Sequence, residues 1–475
     1  MLDKRQFYID GQWVDPSSSS VIEVVDPSTE EVCAVISAGS GQDVERAVIA
    51  ARRAFASWSR TPLAERRALL EKLNAIMTRR LSDWGEAISL EMGAPIDFAI
   101  ESQAGCGPWH MGGFLAALDK FEWEYDLPAA GERIGREPIG VCGLITPWNW
   151  PANQIALKVL PALATGCTCV LKPSEIAPLS AMVFAEMVDE AGFPAGVFNL
   201  VNGDGATAGA ALSAHPEVDM MSFTGSTRAG ALISKAAADT IKRVTLELGG
   251  KSPNIVFADA DLDRALKRGV THVMENTGQS CNAPTRMLVE RSVYDEAVEK
   301  AVAYGEQTKV GSPHDHGNHI GPLSSAAQFS KVQSLIEAGI DEGARLVLGG
   351  PGRPEGFNRG YYARPTIFAD VDNSMRIARE EIFGPVLVMI PFTGEDEAVE
   401  IANDTPFGLA AYVQTGDKDK ARRVGRQLRA GMVRFNGSGL SAGHPFGGYK
   451  QSGNGREGGI WGLEDFLETK IYGGW

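Results

Sequence analysis

IGVCGLITPWNWPANQIALKVLPALATGCTCVLKPSE, residues 139–175, decides the fold. An apolar run (139–146) ends in a sharply turning segment, a helical stretch opens with Pro151 in its first turn, and a second apolar run (167–171) follows. Strands this uniformly apolar must be covered on both faces. The same alternation continues to residue 257: a helix over 179–191, the run VFNLV (197–201), a helix over 205–214, the run VDMMSF (218–223), a helix from Ser226 and the run RVTLELG (243–249). Short buried strands separated by helices predict a parallel sheet with right-handed crossovers. Ligands of such sheets lie at the carboxyl ends of the strands. Three of the runs end in polar turns there: TPWNWP (146–151), KPSE (172–175) and FTGSTRAG (223–230).

Upstream, residues 7–25 hold two short β-prone runs with Asp10-Gly11 as a hairpin signal. Ser40 can cap a helix through Ala47, Ala50, Ala51, Ala54 and Phe55, and another helix starts after Thr61-Pro62. A third apolar helical stretch over 95–118 contains Pro108, which is expected to kink or split it. Residues 121–138, beginning FEWEYDL, read as an exposed ribbon and a subunit contact. From residue 259 a second body repeats the alternation, with helices over 261–278, 294–306, 326–338 and 417–429, strands over 345–348 and 386–391, and a terminal strand over 467–475. The expected fold is α/β, with two doubly wound domains and a small β element. The expected division is 1–120 with 139–248 for cofactor binding, 249–448 for catalysis, and 121–138 with 449–475 for bridging between subunits.

With 475 residues, 44% apolar and 22% charged, the chain has the composition of a globular protein of two or three domains. Lys plus Arg is 45 against 60 Asp plus Glu, a net charge of −15, and no basic run stands out. Nucleic acid and anionic membrane are therefore poor partners. The start, MLDKRQFYIDGQW, lacks the apolar core of a signal peptide, and no apolar run is long enough to cross a membrane. The six cysteines are scattered, as suits free thiols in a reducing, cytoplasmic setting. Cys167 and Cys169 read as core packing within a strand.

One of those cysteines sits apart. NTGQSCNAPTR (276–286) surrounds Cys281 with glycine and small polar residues, so the backbone can turn and a substrate can approach. A lone cysteine is commonly a small buried apolar residue. As a nucleophile it needs a helix N-terminus or a nearby proton acceptor, because an ordinary thiol is mostly protonated near neutrality.

PWNWP (147–151), LKPSE (171–175), FTGST (223–227), LELGGKSPNIV (246–256), GQSC (278–281), EEIFGPV (380–386) and PFGGYKQSGNGRE (445–457), in this order over nearly the whole chain, resemble the aldehyde dehydrogenase superfamily of the hydrolytic, NAD(P)-dependent type. The resemblance implies that Cys281 attacks an aldehyde carbonyl, that its own backbone N–H and the Asn149 amide stabilise the oxyanion, and that hydride then leaves to a nicotinamide. It makes Glu247 the general base that hydrolyses the resulting thioester, with burial between apolar residues raising its pKa. Lys158 is either part of a proton path or a snorkelling surface lysine.

The cofactor residues implied are Thr146, Pro147 and Trp148 in the first turn; Lys172, Pro173, Ser174 and Glu175 in the second; and Gly205 and Gly209 in the glycine-rich 201–209 segment. Phe223, Thr224, Gly225 and Ser226 follow at a helix start, where free N–H groups suit a pyrophosphate, and Leu248, Gly249, Glu381 and Phe383 complete the set. Lys172 and Glu175 would hold the adenosine ribose and Glu381 with Phe383 the nicotinamide ribose. A carboxylate at Glu175 favours NAD, with NADP possible.

The implied substrate tunnel is formed by Trp150, Gln154, Leu157, Ser280, Asn282 and Leu440. None is basic, so a neutral aliphatic or aromatic aldehyde is expected over a carboxylate-bearing semialdehyde. The cluster HDHGNH (314–319) reads as a polar loop, and no metal is expected. Competing readings are a semialdehyde or coenzyme A-acylating member of the same family, a cysteine esterase, and a catalytically silent cofactor-binding protein. Retention of Glu247 favours water as acyl acceptor, and the intact Cys281, Asn149 and Glu247 argue against a silent site. The ribbon and tail imply a homodimer or homotetramer by resemblance.

Overall fold

The apolar runs of the first body form five parallel strands, in the spatial order Arg243–Glu247, Met220–Thr224, Val141–Thr146, Thr168–Pro173 and Phe198–Leu200. The computed structural model in which they are seen describes residues 1–127 and 131–474 of the chain. Gly453–Asn454 adds an antiparallel edge beside Arg243–Glu247, and the hairpin Phe7–Ile9 with Gln12–Val14 closes the other edge, making eight strands. Asp10 and Gly11 turn that hairpin with φ of 56° and 73°, the paired positive values a tight two-residue turn requires. Thr146 lies opposite Pro173, and Thr224 opposite Glu247, so four carboxyl ends finish at one level.

Helices cover the faces as the pattern requires. Ser40 caps Gly41–Trp58 with a reciprocal box, its hydroxyl accepting from the Asp43 N–H while the Asp43 carboxylate accepts from the Ser40 N–H. Pro151–Thr165 is buried nearly all round because it is wedged behind the sheet against Cys106–Leu118. Lys158 sits in that helix with 0% exposure, so the surface alternative for it fails. The break in the 95–118 stretch falls before Pro108. Residues Ala99–Ala104 form a π-helical turn, Gly105 donates to the Ile100 carbonyl, and Pro108 is taken up in the first turn of Cys106–Leu118, where its missing N–H costs little.

The second body is a seven-stranded sheet in the order Arg345–Leu348, Thr366–Ala369, Val386–Phe392, Arg286–Glu290, Pro253–Val256, Ala410–Gln414 and Met432–Phe435, parallel except at its first strand. Five of these strands, 253–256, 286–290, 366–369, 410–414 and 432–435, were not expected from the sequence, since apolar runs of four or five residues carry no period of their own. The helix expected to reach 278 ends at Met274. A third sheet pairs Leu467–Gly473 with Glu132–Pro138 and that strand with Glu124–Leu127. The tip of the expected ribbon, 128–130, and the last residue of the tail lie outside the described residues. A fourth small sheet joins Leu2–Lys4, Glu31–Ser37 and Val21–Asp26. Among the described residues no helix is long and apolar enough to cross a membrane.

Candidate active site

Where the two large sheets face each other, a cavity of about 200 Å³ is lined by Pro147, Trp148 and Asn149, by Thr224–Ser226 and Glu247–Gly249, and from the other body by Cys281, Gln328, Lys331, Glu381 and Phe383. The first group are the carboxyl ends and following turns of parallel strands, and the second comes from loops of the seven-stranded body.

The nucleophile loop is shaped by its backbone. Asn276, Thr277 and Gly278 have φ of 52°, 57° and 72°, three successive left-handed residues that end the helix and turn the chain toward the cavity. At Gly278 a Cβ would lie 2.0 Å from the Gly384 carbonyl oxygen, so only glycine fits. Buried amides hold the turn. Asn276 Nδ2 donates to the carbonyls of Asn149 (2.9 Å) and Gln279 (3.2 Å), and Gln103 Nε2 donates to the Asn149 carbonyl (3.0 Å) and to Asn276 Oδ1 (3.1 Å). Asn149 Nδ2 donates to the Gln279 carbonyl (2.9 Å), and Gln279 Oε1 accepts from the Ser324 N–H. On the far side, Trp150 Nε1 donates to Ser280 Oγ (2.8 Å), and the Tyr412 hydroxyl donates to the Asn282 carbonyl (2.9 Å).

The Cys281 thiol is half-buried, and its pKa is pushed well above the ordinary range by burial first, then by the negative charges of Glu381 and Glu247. Its own backbone N–H acts the other way. Among the described residues no helix starts at Cys281, so the thiol lacks that activating device.

Glu247 is the carboxylate that lines the same cavity from the first body. Only 4% exposed, it has no hydrogen-bond partner for either carboxylate oxygen among the described residues. Burial, reinforced by Glu457, raises its pKa well above the usual carboxylate range against the pull of Lys158 and Arg456. Gly447 leaves room for it, since a Cβ there would lie 2.7 Å from Glu247 Oε1. Lys158 Nζ pairs with Glu457 Oε1, and the other oxygen of Glu457 has no hydrogen-bond partner among the described residues. Glu457 belongs to the PFGGYKQSGNGRE stretch, but nothing local in the sequence marks it as the partner of Lys158, 299 residues away.

Of the expected cofactor residues, Pro147, Trp148, Thr224, Gly225, Ser226, Leu248, Gly249, Glu381 and Phe383 line the cavity, and Thr146, Lys172, Pro173, Ser174, Glu175, Gly205, Gly209 and Phe223 are not among its lining residues. Lys172, 3% exposed, lies 3.4 Å from Glu175, with burial lowering its pKa. Gly209 approaches the Lys172 stem, where a Cβ would lie 3.7 Å away, and Gly205 opens the same π-helical turn. Ser226 caps Thr227–Ala238, and the Gly225 N–H donates to the Glu247 carbonyl (3.0 Å). Glu381 accepts from the Gly250 N–H (2.8 Å), and Gly249 is so close to it that a Cβ would lie 2.6 Å from the carboxylate. Phe383, at φ 59°, stands edge-on to Trp148 with centroids 5.4 Å apart. The Thr224 hydroxyl is buried without a hydrogen-bond partner among the described residues. A dinucleotide fits this donor set: glycine backbones leave room, a helix start offers N–H groups, and carboxylates face hydroxyl-accepting space.

The tunnel residues divide. Trp150, Ser280 and Asn282 flank the nucleophile, and Trp150 stacks edge-on with Phe98 at 5.5 Å. Gln154 and Leu157 are each 3% exposed in the helix behind them, with Gln154 Oε1 unpartnered among the described residues, whereas Leu440 is 38% exposed on a loop. The sequence reading missed Gln328 and Lys331, which line the cavity from Ala326–Asp341; Gln328 Nε2 holds the Phe383 carbonyl at 2.7 Å. The histidines of 314–319 point to separate neighbours, His316 to Asp97 and His319 to the Ser312 carbonyl.

The sequence matches the model of the aldehyde dehydrogenase family over residues 13–472. It is 54% identical over 476 aligned positions to a 3-succinoylsemialdehyde-pyridine dehydrogenase of a Pseudomonas species, covering 100% of this chain and 99% of that one. Among solved structures it is similar to an aldehyde dehydrogenase of Bartonella henselae, at TM-score 0.99 and 57% identity with both chains covered completely. A cysteine-to-alanine variant of an aldehyde dehydrogenase from Pseudomonas syringae, in complex with NAD+ and octanal, superimposes at TM-score 0.97 and 52% identity, covering 98% of this chain and 96% of that one.

Proposed function

This chain belongs to the aldehyde dehydrogenase family and is an NAD-dependent aldehyde dehydrogenase, and from that premise we infer how its residues share the work. One observation carries the assignment: Cys281, Asn149 and Glu247 line a single cavity, and Glu247 reaches it with both oxygens free of hydrogen-bond partners among the described residues. Cys281 gives up its thiol proton to water and attacks the aldehyde carbon as the thiolate, and the Cys281 N–H with Asn149 Nδ2 receives the oxygen as the C=O π bond breaks and charge develops on it. When bound in the cavity, NAD supplies the hydride acceptor. Glu381, Phe383, Gly249 and Trp148 would hold its nicotinamide end, and Lys172 with Glu175 its adenosine end. Glu247 then takes a proton from water attacking the thioester, and Lys158 with Glu457 offers a buried route for that proton. The products are the carboxylic acid and free thiol.

On this reading, 1–120 with 139–248 bind the cofactor, 249–448 carry the nucleophile, and 121–138 with 449–475 bridge subunits of a cytoplasmic homodimer or homotetramer. The substrate class is a neutral aliphatic or aromatic aldehyde. The absence of Arg and Lys from the tunnel positions supports this, as do Phe98 and Trp150 beside Ser280 and the octanal bound by the Pseudomonas syringae enzyme. NADH absorbance with hexanal, benzaldehyde and succinic semialdehyde tests it. Hexanal or benzaldehyde should give the higher kcat/KM, and clear preference for succinic semialdehyde would overturn the substrate class.

A further inference from the structure

With the nicotinamide end of the cofactor in the 200 Å³ cavity on one side of the Cys281 loop, the aldehyde tail extends on the other, where Trp150 Nε1 reaches Ser280 Oγ at 2.8 Å. Phe98 stands edge-on to Trp150 there, with centroids 5.5 Å apart, and forms part of the wall of a second cavity of about 740 Å³. The same cavity meets the start of the nucleophile loop at Glu275 and Asn276, and Asn276 Nδ2 holds the carbonyl of Asn149 at 2.9 Å. A further cavity of about 450 Å³ adjoins the end of the loop through Pro284 and Tyr412, whose hydroxyl donates to the Asn282 carbonyl.

Lys267, Thr271 and Glu275 line both of these cavities. Spaced at every fourth residue of Leu262–Met274 and its cap, they form one ridge of the helix. Glu275 ends that ridge with its N–H on the Thr271 carbonyl. Its side chain is exposed, and its carboxylate makes no hydrogen bond or ion pair among the described residues. Lys267 stands two turns back, about 12 Å along the helix, so a short tail leaving Cys281 meets Glu275 first. Of the other charges on the larger cavity, Asp97 is paired with His316, Glu101 adds a second carboxylate, and Lys309 comes from the 304–309 segment. On the smaller one, Arg434 is held by the Ser438 carbonyl at 2.8 Å, and Arg268 lies against Gly437, where a Cβ would be 2.4 Å from its Cζ. Both of those cations are thus committed to the 434–438 turn.

We propose, resting on the neutral-tail reading above, that Glu275 is a specificity-determining residue: its unpaired carboxylate turns away aldehydes that carry a carboxylate at the far end and admits tails that are neutral or cationic. Like charges brought together at the mouth of a cavity repel, and a carboxylate with no cation of its own has nothing to cancel that repulsion. Added salt screens it.

NADH absorbance of the full-length protein gives kcat/KM for a charge series of similar length: succinic semialdehyde, pentanal and 4-(trimethylammonio)butanal. Glu275→Gln should raise the ratio of succinic semialdehyde to pentanal by roughly fivefold and lower that of 4-(trimethylammonio)butanal to pentanal by a similar factor, as one unit charge at close range in water does. Both changes should shrink between about 0.01 M and about 1 M salt, and Glu275→Asp, which keeps the charge, should keep the wild-type order. Because ratios are compared, a general loss of activity does not mask the result. Unchanged ratios in Glu275→Gln, with wild type still preferring pentanal to succinic semialdehyde, would overturn the role of Glu275 and leave the substrate class standing. A wild-type preference for succinic semialdehyde would overturn the substrate class and the charge filter with it. Should Glu275→Gln not fold, wild type alone decides: added salt should lower KM for succinic semialdehyde and raise it for 4-(trimethylammonio)butanal, and the opposite trend would refute the filter.

Discussion

The Cys281 loop and the Glu247 strand end face one cavity but are built in opposite ways. The loop is held by amide hydrogen bonds from Asn276, Gln103 and Asn149 and by three left-handed residues in succession. Glu247 ends a strand and offers two oxygens that no described group satisfies. A covalent nucleophile gains from fixed geometry, because a near-attack position removes entropy from the barrier. A general base gains from an environment that brings its proton affinity toward working pH, and burial without partners does that. The contrast is between a group whose place matters and one whose charge matters.

Removing the sulfur is the strongest way to break that contrast. Cys281→Ala should lose aldehyde oxidation by a factor on the order of 10⁴ or more, while NAD+ titration shows binding retained. Next comes the oxyanion donor: Asn149→Ala should lower kcat by about 10²- to 10³-fold, with a smaller change in KM. Gly278→Ala tests the loop through stability. A Cβ 2.0 Å from the Gly384 carbonyl, at φ 72°, forces the backbone to move, and denaturant unfolding should show a loss of about 1–3 kcal/mol or more. The smallest effect sharpens the other side. Glu457 raises Glu247, so Glu457→Gln should lower the pKa of Glu247. The base works only when ionised, and activity is lost as pH falls through its pKa. The acid limb of the deacylation rate should therefore move to lower pH, and an unmoved limb would contradict the coupling.

The doubly wound body was legible because its strands end in turns whose chemistry shows in the sequence: PWNWP, KPSE and FTGST mark the carboxyl ends that the register aligns. The second body was less so. Its inner strands at 253–256 and 286–290 are buried runs of four and five residues, and their neighbours in the sheet come from 386–392 and 410–414, far along the chain. Cys281 could be singled out from its small polar surroundings, but the reason its loop holds could not. Gln103 lies 173 residues from Asn276, and no local pattern marks the contact. The same holds for Glu457 against Lys158. Pro108 shows a milder limit: a proline breaks a helix only where its missing N–H is needed, and the chain set the break a few residues earlier.

The most direct test is intact-mass spectrometry of Glu247→Gln mixed with NAD+ and hexanal. A base that acts only on the thioester predicts one equivalent of NADH in a burst, followed by accumulation of an acyl adduct on Cys281 and little further turnover. Steady turnover near the native rate with no adduct would contradict the division of labour between Cys281 and Glu247.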